Sequence, residues 1–271
     1  MKKKPLISVI IPAYNCEKYL EDCVISLQNQ TYNNIEIVIC DDCSKDKTYE
    51  IMKKLNKKYN NIIIIQNDIN LKSGGTRNKC LAQCHGEFIL LQDADDYSKN
   101  NRVEKLMNIF ISNPNIDYVS SGMYKFDEFG IWSELTFSER IISKYDIVKG
   151  CPVAHAATMF KKDALDSVGG YRISKETIRL EDYDLFYRLY LNGKTGYVIS
   201  DLLYYYREDQ NAFERKKFIY RIDEYKIRRK YFKKMKVNLL YYVYVLKPLL
   251  VGLIPIPLFR IINKIRGDFD R

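Results

Sequence analysis

The sequence predicts an α/β protein with a mostly parallel, doubly wound sheet that carries helices on both faces. Short, continuous β-branched runs alternate with helical patterns along the first third of the chain, which is typical of strands buried on both faces. The 271 residues, 46% of them hydrophobic, suffice for a large buried core. Polar clusters also follow several strand patterns, as expected where ligands bind at the carboxyl ends of a parallel sheet.

The first half of the chain alternates regularly between strand and helix. Its strand runs are rich in Val and Ile, and no long linker separates them from the helical patterns. We predict strands at 6–12, 35–40, 61–66 and 87–92, with helices near 17–30, 47–59 and 75–84 between them.

The second half is less regular, but turns and a glycine still delimit its elements. We predict a strand at 116–126, a strand or loop entering a short helix at 151–165, a turn at 169–172, a helix at 180–193 closed by glycine, and a strand pair near 196–200 and 202–208.

The positive charge of the chain is concentrated near its C-terminus. The formal net charge is +10, but residues 214–271 hold 16 Lys/Arg and 5 Asp/Glu, whereas residues 1–213 hold 28 and 29. A nearly neutral body argues against a nucleic-acid partner, since such proteins present basic surfaces to phosphates. We therefore predict a body at 1–210 and a separate basic, apolar helical tail at 211–271.

The cysteines and the first residues indicate a cytoplasmic protein. Seven cysteines are an odd number and lack the even framework of a secreted disulfide scaffold, so we expect reduced thiols. The opening MKKKPLISVIIP has a basic start, but its apolar run is short, ends in proline and lacks a small-residue cleavage site. We interpret it as the first strand.

Three aspartates within four positions, Asp93, Asp95 and Asp96, follow the fourth predicted strand. Like charges this close destabilise one another unless a cation is bound, and oxygen ligands of this kind suit Mg²⁺ or Mn²⁺. Polar clusters at 12–15 and 41–42 follow the first two strands. Such residues can simply end strands and cap helices, but three clusters on one rim favour a binding site.

Five segments, PLISVIIPAYN, EIVICDDCS, FILLQDADD, GGYR and LEDYDLFYRL, resemble in that order the inverting family 2 glycosyltransferases with the GT-A fold. The resemblance covers about residues 5–207. It implies transfer of a sugar from a nucleotide-sugar, most often a UDP-sugar, to an acceptor hydroxyl, with Mg²⁺ or Mn²⁺ and with inversion at the anomeric carbon. It also implies a nucleotide-binding half at about 1–98 and an acceptor half at about 99–210.

The resemblance also implies roles for individual residues on the donor side. The donor-binding loop is Pro12, Ala13, Tyr14 and Asn15, with Asp42 on the uracil and Lys72 or Arg77 on the phosphates. Asp93, Ala94 and Asp95 correspond to the DxD element, and Asp93, Asp95 and Asp96 to the metal ligands. Where many relatives read Tyr-Arg-x-His, this chain reads Tyr206-Arg207-Glu208-Asp209, so Asp209 replaces a histidine that can complete the metal site.

Asp182 corresponds to the general base of the family, with Glu181 and Arg188 nearby. Direct displacement by a hydroxyl needs one base opposite the leaving group, whereas retention would need an enzyme nucleophile. Acidic residues are also ordinary at a helix N-terminus, so the other motifs carry this assignment. His155 could face the acceptor or be a hydrogen-bonded loop residue.

The apolar part of the tail falls short of a continuous membrane span, because Lys247, Pro248, Pro255 and Pro257 interrupt it. Basic residues beside apolar and aromatic ones suit an anionic lipid surface. The alternative is a solvated basic helix followed by a segment packed on the core or on the partner in a homodimer.

The sequence therefore predicts a peripheral membrane glycosyltransferase on the cytoplasmic face, acting on a glycan or lipid-linked oligosaccharide in bacterial surface-polysaccharide assembly. Two alternatives remain open at this point. A metal-dependent nucleotidyltransferase or phosphohydrolase would use the same aspartates to attack phosphorus, and a non-enzymatic module would bind polyanions through the tail.

Overall fold

The computed structural model describes residues 4–208 and 218–253. Its first half contains the predicted alternation of strands and helices: β1 (Ile7–Ala13), α1 (Leu20–Gln28), β2 (Ile35–Asp41), α2 (Thr48–Lys58), β3 (Ile62–Gln66), α3 (Lys72–Leu81), β4 (Phe88–Leu91), β5 (Tyr97–Ser98) and α4 (Arg102–Ser112).

The second half continues with shorter elements and then the C-terminal helices. They are β6 (Tyr118–Asp127), β7 (Gly130–Leu135), β8 (Arg140–Ile141), α5 (Lys144–Lys149), β9 (Thr158–Lys161), α6 (Lys162–Ser167), α7 (Glu181–Leu191), β10 (Gly196–Arg207), α8 (Phe218–Lys234) and α9 (Val243–Gly252).

One sheet runs through the protein in the order β3-β2-β1-β4-β9-β6-β10-β5, with β7 on β6 and β8 on β10. The pairs among β3, β2, β1 and β4 are parallel. β9 is antiparallel to both β4 and β6, so β6 and its parallel neighbour β10 run in the same direction as β4. The carboxyl ends of β1, β2, β4, β6 and β10 therefore lie along one edge of the sheet.

Both faces of the sheet are covered, as the buried strand runs require. Val9 and Ile11 of β1 pack into one cluster with α1, α2 and α4. Ile10 points to the other face and packs with α3, α7 and α8. Because alternate side chains of a strand point to opposite faces, a run that is apolar at every position is stable only between two helical layers. The doubly wound prediction is confirmed.

The predicted pair of strands near the end of the body is a single strand, β10, so that prediction is wrong. Its pairing with β6 shifts register between Val198 and Leu202 and again before Tyr204. The first of these irregularities spans Ser200 and Asp201, where the two predicted strands meet. A β-bulge of this kind lets a strand continue past residues that do not fit the ladder.

The first C-terminal helix packs on the body. In α8, Ile227, Tyr231 and Phe232 are buried in the same cluster as α7, and the Tyr231 ring stacks on Tyr187 at 4.8 Å between centroids. In the described part of the chain, no helix has both the length and the apolar composition required to cross a membrane. Asp209, Pro255 and Pro257 lie outside the described residues.

Candidate active site

The sheet edge brings the three predicted polar clusters together. Ala13 pairs with Asp41 across β1 and β2, and the amide of Asp42 donates to the carbonyl of Ala13 (2.7 Å). On the other side of β1, the amide of Gln92 donates to the carbonyl of Ile10 (3.2 Å). The loops after β1, β2 and β4 therefore start side by side.

The loop after β1 is fixed by its own asparagine and leaves a tyrosine exposed. The backbone of Asn15 is left-handed (φ 49°), a conformation that Asn tolerates better than most residues. Its Oδ1 accepts from the amide of Lys45 (2.8 Å), and its amide donates to Ser44 Oγ (2.9 Å). Tyr14 is 50% exposed, so its ring is available to a ligand at this rim, whereas Pro12 and Ala13 belong to β1.

Asp42 anchors the start of α3. Its Oδ1 accepts from the amide of Leu71 (2.7 Å) and from Asn67 Nδ2 (2.9 Å), and its Oδ2 accepts from the amide of Lys72 (3.0 Å). The carboxylate thus satisfies amides at the N-terminus of α3 that have no partner within the helix, which explains why α3 begins at Lys72. The uracil contact of Asp42 and the phosphate contact of Lys72 stay predictions.

The aspartate loop is held by residues from β10. The amide of Asp93 donates to Tyr204 Oη (3.0 Å), and the amide of Arg207 donates to Asp96 Oδ1 (2.6 Å). The Arg207 side chain donates to the carbonyl of Asp95 (3.0 Å) and lies over the Tyr19 ring at 4.2 Å. The sequence did not indicate Tyr204 or Tyr19 as site residues, and Arg207 was named only within the Tyr206-Arg207-Glu208-Asp209 motif. The pairing of β10 with β5 brings Tyr204 and Arg207 to this loop.

The electrostatics of this loop suit a divalent cation. Burial, followed by the charge of Asp93, raises the pKa of Asp95 to about 6; burial, followed by Asp95, raises the pKa of Asp96 well above its usual value. Asp96 Oδ2 is buried and has no hydrogen-bond partner. Among the described residues, no three His, Cys, Asp or Glu side chains are grouped so that they could hold a metal ion.

Arg77 connects the aspartate loop with the beginning of α7. Its Nη2 lies 2.6 Å from Asp93 Oδ1, and its Nη1 lies 3.6 Å from Glu181 Oε1. Although burial disfavours its charge, Asp93 and then Tyr171 and Glu181 hold the pKa of Arg77 above its usual value. A permanently charged guanidinium therefore joins two motifs that lie far apart in sequence. Arg77 is only 5% exposed, and its contact with the donor phosphates stays a prediction.

Asp182 lies in the first turn of α7 and is partly exposed. Burial, and then the charge of Glu181, raises the pKa of Asp182 to about 7, against a smaller lowering by the amide of Tyr183. That amide donates to Asp182 Oδ1 (2.8 Å). A carboxylate with a pKa near neutrality can accept a proton from a hydroxyl and release it again at physiological pH.

Arg188 is bound away from Asp182. Its Nε donates to Asp184 Oδ2 (2.6 Å) and its Nη1 to the carbonyl of Val168 (2.7 Å). Asp184 is fully buried and also accepts from Arg172 Nε (2.8 Å) and Tyr231 Oη (2.7 Å). These contacts tie α7 to the preceding turn and to α8, so the geometry gives Arg188 a positioning role and its catalytic assignment stays a prediction.

Asn78 is a further positioning residue that the sequence did not single out. Its Nδ2 donates to the carbonyl of Tyr171 (2.7 Å), and its Oδ1 accepts from the amide of Tyr171 (2.8 Å). A Cβ on Gly170, which has a φ of +66°, would lie 2.6 Å from Asn78 Oδ1. The predicted GGYR turn thus needs glycine here both for its left-handed backbone and for this close approach.

The imidazole of His155 is hydrogen-bonded to Tyr171 of the GGYR turn. Its Nε2 lies 2.9 Å from Tyr171 Oη, and burial, with a smaller effect of Arg77, lowers the pKa of His155 well below its usual value. The imidazole is therefore neutral. Of the two roles predicted for His155, this fits a hydrogen-bonded loop residue and not a residue that faces the acceptor.

Comparison with known proteins places this geometry in a family. Residues 8–169 match the sequence profile described as Glycosyl transferase family 2. The chain belongs to that family. The family resemblance and the GT-A fold are confirmed, and the enzyme is a glycosyltransferase.

Relatives in the family share most of the chain. The protein EpsE of Bacillus subtilis (strain 168), named provisionally as a glycosyltransferase, is 35% identical over 260 residues, which cover 94% of this chain and 92% of EpsE. A second relative is the UDP-Glc:alpha-D-GlcNAc-diphosphoundecaprenol beta-1,3-glucosyltransferase WfaP of Escherichia coli. It is 32% identical over 213 residues, which cover 79% of this chain and 81% of WfaP.

Solved structures show the same fold at lower identity. The structure of S. aureus TarS 1-349 in complex with UDP-GlcNAc has a TM-score of 0.69 and 24% identity, and the match covers 91% of this chain and 71% of TarS. The mannosyltransferase PcManGT from Pyrobaculum calidifontis, in complex with GDP-Man and Mn2+, has a TM-score of 0.63 and 15% identity, with 91% and 69% covered.

Proposed function

We propose that this glycosyltransferase transfers a sugar from a UDP-sugar to an acceptor hydroxyl with inversion at the anomeric carbon. The observation that carries the proposal is the pair of Arg77 contacts, one to Asp93 of the aspartate loop and one to Glu181, the neighbour of Asp182. Burial raises the pKa of Asp182 itself to about 7. A base and an anion-binding rim on one rigid frame are what a direct displacement needs.

In this mechanism Asp182 accepts the proton of the acceptor hydroxyl as the hydroxyl oxygen forms its bond to the anomeric carbon. The bond from that carbon to the diphosphate oxygen breaks, and its electron pair leaves with the nucleoside diphosphate. Arg77, which contacts both Asp93 and Glu181, would hold the base and the donor-binding loop at a fixed separation.

We propose that Asp93, Asp95 and Asp96 hold Mg²⁺ or Mn²⁺ together with the donor diphosphate. The bound ion would stabilise the negative charge that develops on the leaving group. The unpartnered oxygen of Asp96 and the raised pKa of Asp95 support this assignment, because burial and the neighbouring like charge disfavour ionised carboxylates that a bound cation would stabilise. Asp209 stands in this chain where many relatives have a histidine, and its role as the last metal ligand stays a prediction.

The acceptor we propose is a lipid-linked glycan in surface-polysaccharide assembly, used at the cytoplasmic face of the membrane. Two observations support it: WfaP, whose name states a diphosphoundecaprenol-linked acceptor, is similar over 79% of this chain, and the C-terminal residues are both basic and apolar. The lipid linkage would bring the acceptor to the membrane surface where the enzyme works.

The direct test is calorimetric titration with UDP, GDP and ADP, with and without Mn²⁺, on the natural protein and on Asp95→Ala. Metal-dependent binding of UDP that Asp95→Ala abolishes is the expected result. Asp182→Asn should retain UDP binding but lose transfer by roughly 10²- to 10⁴-fold. Metal-independent UDP binding, or near-normal transfer by Asp182→Asn, would contradict the assignments.

A further inference from the structure

The segment from Leu239 to Leu253 presents apolar side chains to solvent at helical spacing. Leu239 and the residues to Tyr242 form a 3₁₀ turn that leads into α9. Five apolar residues, at intervals of four, three, four and three positions, form what we term the outer apolar row: Leu239, Val243, Leu246, Leu250 and Leu253 are 80, 58, 50, 59 and 71% exposed. This spacing places them on one face of a helix.

The opposite face of α9 is packed on the protein and holds the row outward. Val245 is 3% exposed and Pro248 is buried, and the Tyr242 ring meets Phe232 of α8 edge-on at 5.9 Å. A Cβ on Gly252 would lie 2.8 Å from the Phe218 ring, so glycine permits the close approach of α8 and α9. The apolar row is thus part of a packed helix pair.

The surface of this helix pair is strongly cationic. Residues 218–253 contain nine Lys/Arg and two Asp/Glu. Glu224, one of the two acids, is buried, and its Oε1 lies 2.9 Å from Arg228 Nη2. The basic residues exposed to solvent are Lys226, Arg229, Lys230, Lys233, Lys234, Lys236 and Lys247.

We propose that the outer apolar row inserts into the interface of an anionic phospholipid bilayer, with the exposed cations of this helix pair contacting the headgroups. A ten-residue helix is about 15 Å long, too short to span a bilayer but suited to lying in its plane. A second copy of the chain would bring two surfaces of the same strong charge together, whereas anionic headgroups neutralise that charge. The charge therefore favours lipid over self-association.

The purpose of this surface rests on the proposed function: it would hold the enzyme at the membrane, where a lipid-linked acceptor is found. Its test needs no substrate. The full-length protein is sedimented with vesicles of phosphatidylglycerol and phosphatidylcholine, or of phosphatidylcholine alone. We expect binding to the anionic vesicles and a steep loss of that binding at high salt.

Paired variants identify the surface. Leu246→Ser with Leu250→Ser should lower the partition coefficient by about tenfold or more. The matched control, Ile111→Ser with Ile131→Ser, changes residues that are 71% and 53% exposed on α4 and β7 and should not change binding. Arg229→Gln with Lys233→Gln should weaken binding by about fivefold per charge, whereas Lys54→Gln with Lys57→Gln on α2 should not.

Two results would overturn the proposal. The full-length protein could fail to bind anionic vesicles, or the control variants could lose as much binding as the C-terminal variants. Light scattering that shows a dimer dissociated by Leu246→Ser with Leu250→Ser would assign the row to self-association instead. Thermal unfolding and UDP titration of each variant establish whether it is folded. Because vesicle binding and UDP binding are measured separately, either proposal can fail without the other.

Discussion

Replacing Glu181 by Gln should move the acidic limb of the pH–rate profile to lower pH. Burial and the charge of Glu181 together raise the pKa of Asp182 to about 7. Gln keeps the shape of the side chain and removes the like charge. It also frees Arg77, whose Nη1 lies 3.6 Å from Glu181 Oε1, to favour the ionised form of Asp182. Both changes lower the pKa of the base.

The size of the pKa shift of Asp182 depends on how much of the raised pKa is due to burial, which the substitution leaves unchanged. Burial, the larger cause, is unchanged, while loss of a neighbouring like charge typically lowers a carboxyl pKa by about 1 unit. The acidic limb should therefore move from about 7 to roughly 6. Near pH 6, the ionised fraction of the base would rise from about a tenth to about a half, so transfer relative to its plateau should rise roughly fivefold.

The assay is the initial rate of nucleoside diphosphate release across a pH series, analysed as kcat and as kcat/KM. Glu176→Gln is the matched control, because Glu176 is a Glu of the same segment whose Oε2 lies 3.7 Å from Arg172. An acidic limb that stays in place or moves upward in Glu181→Gln would refute the role of Glu181 in raising the pKa of Asp182. A shift of the same size in Glu176→Gln would refute its specificity.

Three further substitutions test the frame around the base. Asp182→Asn should raise the free energy of unfolding by about 4 kcal/mol at neutral pH and by almost nothing near pH 4, because a carboxyl whose pKa is raised on folding destabilises the protein as the pH rises from its unfolded-state pKa to its folded-state pKa of about 7. Equal effects in denaturant unfolding at both pH values would contradict this. Asn78→Leu should lower the free energy of unfolding by about 1–3 kcal/mol and lower kcat more than it raises the donor KM, because the backbone of Tyr171 loses both of its hydrogen-bond partners. The control is Asn113→Leu at an exposed position. Unchanged stability of Asn78→Leu would contradict the role of Asn78 in holding the turn. Tyr231→Phe should cost about 1–2 kcal/mol in thermal unfolding, because buried Asp184 loses one of its donors, whereas Tyr145→Phe on the surface should cost almost nothing.

The first strands were predictable to within a residue or two, because each is a continuous apolar run buried on both faces, and such a run has no stable alternative in water. β10 could not be predicted as one strand, because Ser200 and Asp201 interrupt its apolar pattern. The strand continues past them only through its pairing with β6. Arg188 was associated with the base on the grounds of proximity along α7. Its partners, Asp184 and the carbonyl of Val168, could be assigned only once the helix was packed.

The sequence by itself determined the doubly wound fold class, the order of the motifs and the placement of the aspartates after β4. These features depend on residues that are neighbours along the chain, where periodicity and strand ends are visible. Only the tertiary structure decided that Arg77 joins Asp93 to Glu181, that Asn78 clamps the turn before α7, and that α9 turns its leucines outward. A pKa, a buried hydrogen bond and an exposed face all depend on neighbours in space, and no local pattern in the chain records which residues those will be.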